Sequence, residues 1–290
     1  MSDAVIHDRG YRPYDGPRLG QVHAVKSLTL HTLQRIFGLR RQARSKALPF
    51  IVVVLAYLPA IVFVGLSALL PKALRDATLP TYEGYYGFVS GAIILFVAFV
   101  APEALCPDRR SRSLSLYLAA LLDRTTYLVA KALAIFLTLL TVTVGPVLLL
   151  VLGLSIQNAG PDGLGELAIA VGRILAAGTS LSLFFTAVSL ALSSLTDRRA
   201  VASATTIGVL IGSGIVAAVL EEALKFPDAF LLLSLNTAPY FLVNVIYGVT
   251  MGREATYEIP TLIIPLAVAA WTVAGFGFAW LRYQRLQVTR

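Results

Sequence analysis

Residues 128–154 read LVAKALAIFLTLLTVTVGPVLLLVLGL, an apolar stretch of 27 residues with one charged side chain, Lys131. A helix that crosses the hydrocarbon core of a bilayer needs about 20 predominantly apolar residues. This stretch is long enough, and a soluble helix of the same composition would have no polar face to expose to water. It therefore predicts a transmembrane helix.

Further stretches of the chain predict spans of the same kind. Apolar residues make up 57% of the sequence and charged residues 14%, whereas soluble domains carry about 25% charged residues. We therefore expect an all-α integral membrane protein with one six-span domain over 47–281, flanked by segments 1–46 and 282–290. The predicted spans are 47–70, 87–105, 128–154, 167–195, 200–220 and 260–281.

The distribution of basic residues predicts the orientation of these spans. Eighteen Lys and Arg residues lie in 1–46, 106–127, 196–199 and the tail from 282, whereas four lie in the alternate loops 71–86, 155–166 and 221–259. Cytoplasmic loops carry an excess of Lys and Arg. Both termini are therefore predicted to be cytoplasmic, and no cleaved signal peptide is evident near the start.

Two apolar segments are predicted to lie outside the spans. In 21–37, apolar residues recur at helical spacing and a basic cluster follows (Arg40, Arg41, Arg44 and Lys46). This pattern predicts an amphipathic helix on the membrane surface, or a soluble helix packed on a partner. In the loop 221–259, the apolar stretch 229–247 is divided by Asn236, Pro239 and Asn244. We expect a re-entrant or interfacial helix pair there, because a seventh span would put the basic tail outside.

Several kinds of catalytic site are excluded by the motifs that the sequence lacks. Its one cysteine, Cys106, rules out an intrachain disulfide or a CxxC site, and its histidines all lie within 1–46. It contains no G-x-x-x-x-G-K-[ST] phosphate loop. We therefore expect neither a catalytic residue nor a metal site, and no nucleotide hydrolysis by this chain itself.

The densest group of polar residues follows the second predicted span. Residues 102–131 read PEALCPDRRSRSLSLYLAALLDRTTYLVAK. Pro102 and Pro107 are expected to break or kink the helix, and a short helix with an apolar face should follow the basic residues. Asp123 or Thr125 is placed to cap the next helix. A short helix that is basic at its start and apolar after it fits a docking surface, although a positive-inside loop has the same composition.

These residues resemble the coupling loop of type-2 ABC exporter permeases. The similarity consists of an acidic residue ending the second span, then D-R-R, L-x-L-Y-L, R-T-x-Y and a Lys opening the third span. The opening residues 6–18, IHDRGYRPYDGPR, and the layout of six spans are also similar to bacterial members of this family. Leu121 stands where the family often has a proline, three residues before Arg124.

The resemblance implies a permease subunit that forms the translocation path of a bacterial inner-membrane exporter. Its partners would be a cytoplasmic ATPase, which binds ATP and Mg²⁺, and a second permease copy or a related permease. The helix at 108–122 would enter a cleft of the ATPase. The residues that match the coupling pattern, with two leucines of its apolar face, are Glu103, Asp108, Arg109, Arg110, Arg112, Leu118, Leu121, Arg124, Tyr127 and Lys131.

Two features within the spans carry weaker indications. Arg173 lies in the outer part of the fourth span, where it either snorkels to the head groups or contacts substrate or a gate of the translocation path. Gly208 and Gly212 form G-x-x-x-G with Gly214 nearby, which permits close helix contact within the chain or between copies. An ATP-independent transporter or channel, or a membrane anchor for an extracytoplasmic assembly, remains an alternative function.

Overall fold

A computed structural model describes residues 19–286 except 40–42, 72–73, 76–78, 120 and 250–258. The opening motif 6–18 and the end of the tail lie outside these residues, and so do the side chains of the basic cluster at 40–46. Every regular element in the described part is helical. The α-helices are α1 (Gln21–Ile36), α2 (Ala43–Leu69), α3 (Tyr82–Arg110), α4 (Leu114–Ala119), α5 (Arg124–Thr143), α6 (Gly145–Ile156), α7 (Gly163–Ser193), α8 (Arg199–Ala218), α9 (Ala238–Tyr247) and α10 (Ile263–Gln284).

The prediction of six apolar spans is confirmed by the lengths and compositions of these helices. Six helical stretches are long and apolar enough to cross a membrane, and each overlaps one predicted span. α5 and α6 together form the third of them. The six are Pro49–Leu69, Tyr82–Arg110, Arg124–Ile156, Gly163–Ser193, Arg199–Ala223 and Ile263–Gln284.

The second span is longer than predicted. Thr81 caps its first turn by accepting a hydrogen bond from the Gly84 N–H at 3.3 Å. The helix then passes through Pro102 and Pro107 and ends at Arg110, so the prolines, which were expected to break or kink it, do not break it. A proline removes one hydrogen bond from a helix, but packing of the neighbouring turns can retain the helical backbone. The chain leaves the helix at Arg112, which has a φ of 56°.

The centre of the bundle is formed by α3, α5 and α7. α7 packs against α10, α5, α3 and α9. Most residues of its second half are buried. Large aromatic side chains from α3 and α7 fill this centre, among them Tyr85, Phe96, Phe184 and Phe185. The first, fifth and sixth spans are mostly exposed on the outside of the bundle.

Two glycines allow neighbouring helices to approach closely. A Cβ at Gly275 of α10 would lie 2.9 Å from the carbonyl oxygen of Ala187 in α7. At Gly178, an added Cβ would clash with Val144. The Gly178 carbonyl oxygen instead accepts a hydrogen bond from Thr143 Oγ1 at 3.1 Å, which joins the middle of α7 to the end of α5. Small residues of this kind are typical of packed membrane helices.

The third span is divided into α5 and α6 at Val144. Pro146 occupies the first turn of α6 and has no N–H to donate to a preceding carbonyl, so the helical hydrogen bonding is interrupted here. Thr143 Oγ1 and Ser182 Oγ lie 2.8 Å apart at this break. The polar groups near the interruption are thus satisfied inside the bundle, as a membrane interior requires.

Two helical segments lie in the loop 221–259, and the predicted re-entrant or interfacial placement of this part of the chain stays a prediction. A 3₁₀ helix covers Asp228–Leu233, and α9 follows and ends at Tyr247. Gly248 ends α9 because its φ of 78° is accessible to glycine without a steric penalty. α9 packs against α7 and α10.

α1 lies across the ends of two spans. Leu28, Thr29, Thr32 and Ile36 share one buried face, which packs mainly on α5 and also on α3. Thr29 Oγ1 lies 3.2 Å from the carbonyl oxygen of Ala130 in α5. A helix thus lies in the segment 21–37, with part of its apolar face covered by the spans, and its placement on a membrane surface stays a prediction.

Candidate functional site

Charged and aromatic side chains gather at one end of the helical bundle. Here α3, α7 and α10 end, α5 and α8 begin, and α1 packs across them. We call this the charged end of the bundle. It contains most of the site residues that the sequence predicted.

A buried carboxylate, that of Asp108, is the centre of this region. Its side chain is 2% exposed, and its Oδ1 lies 2.6 Å from Arg35 Nη1 of α1. Its Oδ2 lies 2.6 Å from Lys131 Nζ of α5 and accepts a hydrogen bond from Tyr127 Oη at 2.9 Å. Two cations and a phenol therefore compensate for the burial of this charge, which would otherwise be costly.

Lys131 is as buried as Asp108, with 1% of its side chain exposed. Its ammonium group donates a second hydrogen bond to Thr32 Oγ1 of α1 at 3.1 Å and lies 5.4 Å from the centre of the Tyr127 ring. A Lys ammonium has three donors, which makes it able to join partners from different helices. Asp108 and Lys131 together connect α1, α3 and α5.

Glu103 extends this group towards the fifth span. Its side chain is half-buried, and its Oε1 lies 3.5 Å from Arg35 Nε. Its Oε2 pairs with Arg199, the first residue of α8. We call Arg35, Glu103, Asp108 and Lys131 the ion cluster. Together with Arg199, the ion cluster connects α1, α3, α5 and α8.

Arg109 points away from the ion cluster and caps the fourth span. Its Nη1 donates to the carbonyl oxygens of Ser194 and Thr196, at 2.6 and 3.0 Å. These carbonyls lie just past the end of α7, where backbone acceptors have no partner within the helix. A basic side chain is favourable there because the helix end carries a partial negative charge.

A row of three tyrosines connects α4 to the ion cluster. The Tyr117 ring lies 5.8 Å from the Tyr127 ring, which lies 5.9 Å from the Tyr283 ring of α10. Burial and the nearby Asp108 charge raise the pKa of Tyr117, which keeps its phenol protonated at neutral pH. Arg124 also donates to the carbonyl oxygen of Gln284, so α10 is held at its end as well.

The segment after Arg110 presents the exposed surface of this region. Arg110 and Arg112 are exposed. Leu116 is 73% exposed and Leu121 60%, whereas Leu114 and Leu122 are buried. The predicted 108–122 helix is not continuous: Asp108 to Arg110 belong to the end of α3, and the separate short helix α4 covers Leu114–Ala119. Exposed leucines next to arginines are typical of a surface that binds a partner rather than of one that contacts only water.

Two depressions border this segment. One lies between α1 and α4, has a volume of about 480 Å³, and is lined by residues that include His23, Leu28, His31, Tyr117 and Leu121. The other lies where α3 ends beside the turn into α8. It is lined by Pro107, Arg110, Ser111 and residues 197–200, two of which are arginines.

The coupling residues predicted from the sequence thus fall into two groups. Asp108, Tyr127 and Lys131 are buried, and Glu103, Arg109 and Arg124 bind other parts of this chain. Arg110, Arg112 and Leu121 are exposed, and Leu118 is half-buried. Sequence reasoning missed Arg35, Thr32, Arg199, Tyr117 and Tyr283. The one signal for Arg35 was that it interrupts the apolar face of α1.

The other predicted residues lie away from the charged end. Arg173 is exposed in the first half of α7. A Cβ at Gly208 or Gly212 would meet no other atom within 4 Å, and one at Gly214 would lie 3.5 Å from Ser234 Oγ. Gly208 and Gly212 therefore provide no tight contact within the described chain.

No protein-family model matches the sequence, and no curated protein matches it. Within the described residues, no group of three or more His, Cys, Asp or Glu side chains is placed to hold a metal ion. The arrangement at the charged end is one of positioned charges next to an exposed apolar and basic surface.

Proposed function

We propose that this chain is the permease subunit of an ABC exporter, in a bacterial inner membrane with both termini in the cytoplasm. It forms the translocation path and is driven by a separate ATPase, which binds ATP and Mg²⁺. The charged end then faces the cytoplasm, in agreement with the excess of basic residues there. The proposal draws on the resemblance of the 102–131 segment and on the geometry around it.

One observation carries the proposal. The segment 110–122 exposes Leu116, Leu121, Arg110 and Arg112, and both of its ends are anchored in the bundle. An exposed segment that only connected two spans would need neither large leucines nor a buried anchor. Apolar side chains supply buried area in an interface, while arginines at its rim steer the partner.

The contacts that hold the segment 110–122 on the bundle also connect a partner's movement to the spans. A displacement of α4 moves Tyr117, whose ring packs on the ring of Tyr127. The Tyr127 hydroxyl in turn donates a hydrogen bond to Asp108. Asp108 in turn holds α1 through Arg35 and α5 through Lys131. In the proposed mechanism, closure of the ATPases shifts these helix ends together, as a rigid-body switch between inward and outward states.

The placement of buried charge favours this function over an ATP-independent transporter. Secondary transporters usually carry ionisable groups deep in the spans, where they bind coupling ions. Among the Asp, Glu, Lys and Arg residues that the structure describes, Asp108 and Lys131 are the buried ones, and both lie at the charged end. They already neutralise each other, which leaves no obvious site for a coupling ion.

The fifth span is the surface on which we propose that a second permease packs. α8 is largely exposed, and Gly208 and Gly212 face open space. Membrane helices associate closely where small residues let the backbones approach. A partner helix at this G-x-x-x-G would explain why two glycines lie where nothing in the same chain needs them.

Purification from the native membrane tests the proposal. We expect an ATPase with a phosphate loop to copurify, and ATP hydrolysis to require both proteins. Leu116→Ala with Leu121→Ala should weaken this association by about 1 to 3 kcal/mol, the range for interface anchors. Leu164→Ala is the control, because Leu164 is a highly exposed leucine at the opposite end of the bundle. Equal ATPase recovery with both variants would contradict the proposed docking surface.

A further inference from the structure

A third depression lies on the membrane-facing surface, separate from the segment 110–122. It is a groove of about 390 Å³ between α5, α7 and α10. Leu128, Ala132 and Phe136 line one side, Thr186 the floor, and Phe276 and Trp280 the other side. Leu183 and Trp280 on its rim are 43% and 45% exposed, so the groove is open along its length.

The polar groups of the groove already have partners within the chain. Thr186 Oγ1 on the floor donates to the carbonyl oxygen of Ser182 at 2.6 Å. Trp280 Nε1 donates to Thr125 Oγ1 at 3.3 Å, and Gln284 Nε2 donates to the same oxygen at 3.2 Å. A polar ligand would therefore find little to bind in the groove, whereas hydrocarbon would gain contact with its apolar walls.

The position and length of the groove match one leaflet of a bilayer. Its lining on α5 begins at Thr125 in the first turn and ends at Phe136. At about 1.5 Å per residue, these two residues are about 16 Å apart along the helix, which is half of a hydrocarbon core of about 30 Å. The polar group of Trp280, Thr125 and Gln284 lies at the charged end, where tryptophan is typical of a membrane interface.

We propose that this groove binds one acyl chain of a phospholipid from the leaflet at the charged end. The chain lies along α5 between Phe136 and Trp280, and the glycerol region lies near Thr125. Retention in a defined groove distinguishes this lipid from those that only surround the protein. The inference depends on membrane insertion of the spans and does not require that the protein be an ABC permease.

Fluorescence quenching tests the proposal directly. The chain has two tryptophans, so Trp271→Phe leaves Trp280 as the only reporter. Phosphatidylcholine with brominated acyl chains is titrated into the delipidated protein in detergent. We expect quenching that saturates.

The variant Ala132→Phe places a larger side chain in the groove. Overpacking of this kind should raise the lipid concentration for half-quenching about tenfold. Native mass spectrometry should show one phospholipid retained on the wild type and lost from this variant.

The controls separate a groove site from general contact with lipid. Ala204→Phe adds the same side chain on the exposed face of α8 and should leave the titration unchanged. If Ala132→Phe does not fold, Val129→Phe is used to obstruct the groove instead, because Val129 lies on its exposed rim. Linear quenching in every variant would mean unspecific lipid contact and would overturn the proposal. Trp280 protected from brominated lipid would also overturn it, because a second copy would then cover the groove.

Discussion

Asp108 and Lys131 form an ion pair of 2.6 Å between the end of α3 and the second turn of α5, with less than 3% of either side chain exposed. Arg35 of α1 binds the other carboxylate oxygen at 2.6 Å. The carboxylate thus has a cation on each oxygen, and its two cations come from different helices. Loss of one partner should therefore cost stability without leaving Asp108 entirely uncompensated.

Lys131→Met should destabilise the protein, because the ammonium group is removed and the carboxylate keeps only Arg35 and Tyr127. We expect a loss of up to about 3 kcal/mol, at the lower end of the range for breaking a buried pair. The measurement is thermal unfolding in detergent. A double-mutant cycle with Asp108→Asn should give a coupling energy of about 0.5 to 3 kcal/mol. Additive effects of the two substitutions would show that the pair has no role in stability.

Arg109→Met should loosen the end of the fourth span, because two carbonyl oxygens lose their donor. Hydrogen bonds to charged groups contribute about 1.5 to 3 kcal/mol, and we expect a loss of this size in the same unfolding measurement. Arg109→Lys should recover part of it, since Lys cannot reproduce the planar donor geometry. The neighbouring Arg110 is exposed, so Arg110→Met should change stability by less than about 0.5 kcal/mol.

Cysteine labelling should establish the orientation in the membrane. Lys225→Cys and Val249→Cys, both exposed and placed in a Cys106→Ala background, should react with an impermeant maleimide added outside intact spheroplasts. Ser111→Cys at the charged end should react only after the membrane is opened. The opposite labelling pattern would reverse the proposed topology and place the charged end outside.

The exposed arginines should act mainly on the rate of association with the ATPase. Arg110→Glu with Arg112→Glu reverses the charge of the rim, which should slow binding most at low salt. The effect should shrink towards 1 M salt, where the screening length falls from about 10 Å to about 3 Å. Lys225→Glu reverses a charge at the opposite end of the bundle and is the control. A salt-independent difference, or none, would mean that these arginines do not face the partner.

The purified chain alone should not hydrolyse ATP, because its sequence has no phosphate loop. Phosphate release is measured before and after addition of the copurified ATPase, and turnover is expected only in the second case. Activity that persisted after all other proteins were removed would require a different nucleotide site in this chain.

The six spans were predictable because each depends on the composition of one continuous stretch. A window of about 20 apolar residues is recognised without knowledge of its neighbours. The second span was predicted too short because Pro102 and Pro107 are locally unfavourable in a helix, whereas packing around Asp108 and Cys106 extends it to Arg110. Local rules gave the wrong boundary where tertiary contacts outweighed them.

The inward orientation of Asp108 was not predictable from the pattern of its segment. In sequence it stands beside three arginines, and this segment has the composition of a solvated basic loop. Its actual partner Arg35 lies 73 residues away, and Thr32 lies 99 residues from Lys131. A pairing over such distances leaves no periodic signal in either segment. Arg110, Arg112 and Leu121 are exposed, and their role in binding a partner stays a prediction.

The connection of α1 to α5 has a consequence for the order in which the protein is made. Arg35 leaves the ribosome long before Asp108, and Lys131 leaves after both. In a nascent chain that ends between Asp108 and Lys131, Arg35 is the one of these two cations that has already been made. The chain through Lys131 is the shortest in which Asp108 has both of its cations and Thr32 has its ammonium donor. The complete set of contacts around Asp108 thus becomes available only after the start of the third span has been made.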